Sequence, residues 1–214
     1  MIHYHGTPCG GKRLDVGLFL HKRHALIPWV RDEDIGMAAE ACQSFCLDNG
    51  AFTAWKSGKP IENWRGYYEW AAMWSHHPGC DFAIIPDVIN GTERENDMLI
   101  ADWINAKCWD KRSWAAWFGV PVWHLHESLE RLERLCKGWP RVALGSSGQW
   151  ARPNPDPDSG WFRRMADAMT VACDGEGRPR CKLHGLRMLD PAVFYRFPLA
   201  SSDSTNAVRN GNLV

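Results

Sequence analysis

Eight short apolar runs, each closed by turn-forming residues and separated by segments of helical spacing, constrain this chain more than anything else in it. They begin near Ile2, His24, Ser44, Phe82, Val120, Val142, Lys182 and Leu199. Runs of that length, bounded by Gly, Pro, Asn, Asp or Ser, read as buried strands. When helices alternate with such strands, each connection crosses over and the strands run parallel. Eight repeats predict an α/β fold of one kind, a small (β/α)8 TIM-like barrel spanning residues 1–214 as a single domain. Only Ala207 to Val214 follow the eighth run, so the last helix is expected to be absent or rudimentary, with the gap left open or covered by another surface.

Three of the intervening helices carry explicit signals. Glu62 to Trp74 places aromatics at helical spacing, and Thr92 with Glu95 three residues later forms a capping-box pattern that opens a helix to Asn105. Ser128 to Lys137 interleaves leucines with Glu-Arg pairs in the manner of a solvent-facing helix. Residues 151–160 and 174–180 read as loops, the first a lid over the barrel mouth or a solvated connector.

Three of the runs end on an aspartate: Asp48 before Asn49-Gly50, Asp87 after Ile85-Pro86, and Asp203 before Ser204-Thr205. In a parallel barrel all strand C-termini lie at one end, so the three carboxylates are expected to meet in one pocket. Two of them have a plainer reading. Asp48 suits an ordinary turn bonded to its own backbone. Asp203 suits a helix cap, although few residues follow it to be capped. Gly145-Ser146-Ser147-Gly148 ends the sixth run with a small-residue turn whose N–H groups suit a phosphate or a base carbonyl.

Twenty-five basic residues balance 25 acidic ones, which removes a global positive field as a means of holding nucleic acid. Any grip on phosphates must come from a local patch, for which Arg152, Arg163, Arg164, Arg178, Arg180 and Arg209 are the candidates. The eight cysteines sit in a chain too long for a disulfide scaffold and without the opening pattern of a signal peptide, which points to a reducing cytoplasm. No apolar stretch approaches the roughly 20 residues that cross a bilayer. Most of the 13 tryptophans are expected in the core, with Trp55 or Trp150 available to stack on a base.

His3 and His5 alternate along the first strand and His124 and His126 lie on the fifth, so each pair is expected to share a face. Aimed into the mouth they suit either a metal or the polar edge of a substrate, and the second reading is preferred. No metal or other cofactor is expected. The cysteines contain no C-x2-C pair, and Cys173, Cys181 and His184 lack a fourth partner at zinc spacing.

In their order along the chain these motifs resemble the tRNA-guanine transglycosylase superfamily, most closely its DNA-acting branch, the 7-deazaguanine DNA transglycosylases of phages and bacterial genomic islands. Asp48-Asn49-Gly50-Ala51-Phe52 is similar to the family's Asp-Ser-Gly-Gly-Phe segment. Pro86-Asp87-Val88 resembles its base-recognising strand-four aspartate, Gly145-Ser146-Ser147-Gly148 its base-binding loop, and Ser202-Asp203-Ser204-Thr205 its nucleophile motif. The resemblance implies a barrel that exchanges guanine for a 7-deazaguanine such as 7-cyano-7-deazaguanine through a glycosyl–aspartate intermediate. It implies Asp203 as nucleophile, Asp48 as acid and base, and Asp87 on the base, while Asn49, Gly50, Gly145, Ser146 and Ser147, with His5, His124 and His126, are expected to line the substrate site. A phage-encoded member would work in the bacterial host's cytoplasm. Three departures stand out: the family's C-terminal zinc site is absent, His124-Leu125-His126 stands where relatives present a glutamine, and the chain stops soon after the nucleophile motif. The missing zinc subdomain argues for DNA over tRNA, with the target base single-stranded or flipped. Two other readings remain open: a metal-dependent amidohydrolase-type barrel, and a non-catalytic deazapurine- or nucleic-acid-binding subunit with a protein partner.

Overall fold

The computed structural model describes residues 1–9, 12–147, 150 and 159–205, with the backbone alone at 112 and 113. Among the described residues nine strands pair in parallel: β1 (Ile2–Gly6), β2 (His24–Pro28), β3 (Ser44–Asp48), β4 (Cys80–Ile84), β5 (Gly119–Val120), β6 (Val122–His124), β7 (Arg141–Gly145), β8 (Lys182–Gly185) and β9 (Ser201–Ser204). Their order is β5-β4-β3-β2-β1-β9-β8-β7-β6. The two ends of that order are one stretch of chain. Proline has no N–H for a ladder and is tolerated only where a strand is interrupted, and Pro121 divides β5 from β6. The Val120 carbonyl accepts from Ile85 on the β4 side, and the Pro121 carbonyl accepts from Ala143 of β7, both at 2.9 Å. The sheet thereby nearly closes into a small TIM-like barrel whose fifth strand is broken in two.

Helices α1 (Arg13–Leu20), α2 (Ile35–Ala41), α3 (Ala51–Lys56), α4 (Arg65–Trp74), α5 (Glu93–Asn105), α6 (Arg112–Phe118), α7 (Leu129–Gly138), α8 (Gly160–Ala172) and α9 (Pro191–Phe194) fill the connections. The Thr92 capping box forms, with Thr92 Oγ1 accepting from Glu95 N and Glu95 accepting from Thr92 N. Ser128 caps α7, but that helix is not simply solvent-facing: it buries Arg131, Leu132, Leu135 and Cys136 against the sheet. The stretch expected to hold the last helix, 207–214, and most of the expected lid, 151–158, lie outside the described residues.

Strand alternation decides what reaches the barrel axis. Tyr4, Leu26, Cys46, Phe82, Ile84, Val120, Val122 and Ala143 pack together inside, while two larger apolar clusters join helices to the outside of the sheet. Tryptophans do much of that outer packing, Trp103 and Trp123 without exposure. The ninth strand departs from any propensity rule, being Ser-Ser-Asp-Ser and buried throughout. Its neighbours explain it. Ser201 Oγ lies 2.8 Å from His184 Nδ1, and Ser202 Oγ donates to the Gly185 carbonyl at 2.7 Å, so the hydroxyls are partnered and burial costs little. Among the described residues, no helix is long and apolar enough to cross a membrane.

Candidate active site

A cavity of about 130 Å³ opens at the C-terminal ends of the strands, and Asp48, Asp87 and Asp203 all line it. One water needs about 10–15 Å³, so the space suits a small ring system rather than an isolated water. Asp48 ends β3 and faces inward with Pro28, its register partner on β2. Asp203 faces inward level with Tyr4 of β1. Asp87 arrives differently, from the loop three residues beyond β4, because that strand ends at Ile84.

The Asp48 carboxyl is strongly shifted. Burial pushes it up to about 7 from an ordinary 3.8, and the charges of Asp203 and Asp87 push the same way. The Gly50 N–H, donating to Oδ2 at 3.1 Å, and the Arg187 guanidinium oppose the rise without cancelling it. The plain turn reading of Asp48 therefore holds for one oxygen, and the carboxyl still faces the cavity. Gly50 supplies the turn at φ +78°, and a Cβ there would stand 2.8 Å from a Val30 methyl, so its part is to let the chain pass.

Asp203 is nearly fully buried. Its Oδ1 accepts from the Arg187 N–H at 2.9 Å, with His184 Nε2 behind it at 3.5 Å. Among the described residues no protein donor meets Oδ2. One oxygen is thus anchored by the protein and the other is not. The helix-cap reading falls away, since Asp203 lies within β9.

Asp87 is held on both sides. Asn49 Nδ2 donates to Oδ1 at 2.8 Å and His124 Nε2 lies 2.9 Å from Oδ2. Asn49 also donates to the Ile85 carbonyl and accepts from Ala51 N, so its work is to fix the loop and the carboxylate. A buried support stands behind: Glu127 accepts from His124 N and from Arg131, while Asn96 bridges Glu127 to Val88. The expectation that Asn49 and His124 contact substrate directly is therefore refined, both acting first on Asp87. Each carboxylate oxygen keeps a second lone pair for a ligand N–H.

Gly145, Ser146 and Ser147 line the cavity as expected. The reason for glycine at 145 is steric: a Cβ would meet His124 Nδ1 at 2.7 Å. Ser147 Oγ donates to the Ile89 carbonyl at 3.2 Å, and among the described residues neither serine N–H meets a protein acceptor. Gly148 lies outside the described residues.

Other expectations fail on geometry. Tyr4 and Gly6 take the inward positions of β1, so His3 and His5 turn outward, His5 packing on Phe19 of α1 at 4.9 Å between ring centres. His126 is exposed at the rim, stacked on His124 and close to the Gly91 carbonyl, and does not line the cavity. Arg164 is committed to the Leu125 and Glu127 carbonyls. Arg178 and Arg180 lie between α8 and β8, at the opposite end of the barrel from the cavity. Arg152 and Arg209 fall outside the described residues. Neither Trp55 nor Trp150 lines the cavity; Phe52 does.

Arg187 also lines the cavity, and the sequence reading missed it. It lies two residues beyond β8, stands 3.5 Å above the Phe52 ring, and donates through Nη2 to the Ser146 carbonyl. Its signal was its position, a basic residue two places beyond a strand end at the barrel mouth. Among the described residues no three His, Cys, Asp or Glu side chains gather as a metal-ligand set. Compared with known proteins, the chain matches no family model and no curated protein.

Proposed function

We propose that the protein is a base-exchanging glycosyltransferase that replaces guanine in DNA with a 7-deazaguanine derivative. The observation that carries this reading is Asp48, poised at about 7 beside two further carboxylates. A group poised there donates a proton to a leaving base and takes one from an incoming base at neutral pH.

Asp203 Oδ2 attacks C1′, the bond from C1′ to the base nitrogen breaks, and its electron pair leaves with the base. Asp48 delivers the proton that neutralises the departing guanine and becomes a carboxylate. The incoming 7-deazaguanine then loses its N–H proton to Asp48 as its nitrogen attacks C1′, and Asp203 departs with the electrons of the ester bond. Asp87, with its two protein donors already placed, accepts the paired N–H groups along the guanine edge. The motif order shared with the tRNA-guanine transglycosylase superfamily supports the same assignment.

The cavity lies within a barrel mouth that a stacked base cannot enter, so the target nucleotide is single-stranded or flipped. The metal-hydrolase alternative needed His3 and His5 aimed inward, and both face out. The test is incubation of the protein with guanine-containing DNA and labelled 7-cyano-7-deazaguanine, followed by digestion to nucleosides and mass spectrometry. Label in a deoxynucleoside is the expected result. Exchange into folded tRNA alone would overturn the DNA assignment, and exchange into neither would overturn the reading.

A further inference from the structure

Among the described residues only Lys22 and Arg187 are non-glycine residues with positive φ, and Arg187 sits at 58° in the wall of the cavity. A side chain in that region costs free energy that glycine avoids, and such strain concentrates where a residue is used. The conformation has two consequences. It turns the Arg187 N–H onto Asp203 Oδ1 at 2.9 Å, and it lays the guanidinium across Phe52, with Nη2 on the Ser146 carbonyl. One residue thereby joins the end of β8 to β9, α3 and the loop after β7.

We propose that Arg187 is a positioning residue serving both working carboxylates at once, orienting Asp203 through its main chain and supplying through its side chain the positive charge that Asp48 works against. The inference rests on the assignment of Asp48 and Asp203 as the working pair.

The charge inventory around Asp48 makes the second half specific. Asp203 faces it from β9 and Asp87 from the loop after β4. Tyr67 faces it from α4, its phenol pushed well up by burial and so neutral, while the Gly50 N–H comes from the same turn. Arg187 supplies the opposing positive charge. Without it, among the described residues, three carboxylates would share the cavity with no guanidinium, and Asp48 would hold its proton to higher pH. A glycine at 187 would relieve the backbone but forfeit the charge, which accounts for an arginine in a conformation that favours glycine.

The test is a ¹³C-carboxyl aspartate NMR titration of the ligand-free protein, with Asp48→Asn to assign the resonance. Wild type is expected to titrate near 7 at Asp48. Arg187→Met should raise that midpoint by about one unit, the low end of what a nearby opposite charge contributes. Arg187→Lys should restore most of the shift. Should the methionine variant fold poorly, Arg187→Gly gives the same readout, because glycine accepts the positive φ. An unchanged midpoint in Met or Gly, or a lysine variant that behaves like methionine, overturns the proposal for Arg187. A wild-type midpoint near 4 instead removes the acid–base role of Asp48, so the two failures are distinguishable.

Discussion

The two ends of the barrel use the same side-chain chemistry to opposite effect. At the N-terminal end Asp81 accepts hydrogen bonds from the Tyr4 and Ser44 hydroxyls, His24 meets Ser44, and Arg141 lies over Phe82 and reaches Ser201. There one carboxylate and one guanidinium are each surrounded by partners. At the C-terminal end, among the described residues, three carboxylates share a cavity with the Arg187 guanidinium, and burial, reinforced by the charges of Asp203 and Asp87, makes Asp48 keep its proton near neutrality. A fold seeking only stability would not gather acids in this way. The satisfied end reads as structure and the crowded end as chemistry.

The largest effect that tests this contrast belongs to Asp203. Asp203→Ala should lower exchange on the order of 10⁶-fold, as loss of a covalent nucleophile does. With DNA and a slow incoming base, wild type should give a shifted band on denaturing gels and the variant none. A band that survives would move the nucleophile to Asp48. If the protein is instead a binding module, Asp203→Asn should keep both its ligand affinity and its biological role.

Next comes Asp48, where activity and stability should move in opposite directions. Its folded midpoint of about 7 lies above the ordinary 3.8. Between those values the folded state holds a proton the unfolded state has released, so stability is greatest below pH 3.8 and falls as pH rises to 7. Asp48→Asn removes that slope. The variant should unfold at higher temperature than wild type at pH 8, show little difference near pH 4, and lose exchange activity. Equal thermal shifts at both pH values would show that Asp48 is not held protonated by its surroundings.

Asp87 should give a smaller and more selective change. Loss of a charge-assisted pair costs about 1.5–3 kcal/mol, roughly ten- to hundredfold in affinity. Asp87→Asn should weaken guanine-type ligands by that factor and adenine-type ligands far less, read by equilibrium binding. Because Asn49 and His124 both bond this carboxylate, equal weakening of the two would assign Asp87 to holding the loop.

What could be read in the sequence divides along physical lines. The strands were legible because burial on both faces makes their residues apolar, and Ser44–Asp48 needed no other clue. Asp48 and Asp203 were legible because a strand end fixes where a side chain lands. The outward turn of His5 was not, since alternation fixes which residues share a face and only the packed barrel fixes which face is inside. The Asn49–Asp87–His124 connection joins the ends of three strands distant in sequence, and no local pattern encodes it. Arg187 was missed for a related reason: its role follows from a positive φ that the sequence of an arginine does not announce.

The smallest effect is expected at the satisfied end, and its smallness makes it informative. Asp81 accepts two hydroxyl hydrogen bonds on one oxygen, Oδ2, and its residue is exposed to solvent at the sheet's lower edge. Asparagine keeps an oxygen that can accept from the same hydroxyls, so Asp81→Asn loses charge assistance but leaves no donor stranded. The cost should be about 1 kcal/mol, which for a chain of this size lowers Tm by roughly 2–4 °C. The cavity lies at the other end of the strands, so kcat/KM for base exchange should not change. Urea unfolding and the exchange assay on one preparation measure both quantities. A variant that keeps its stability but loses exchange would put chemistry at the N-terminal end and break the division between the two ends.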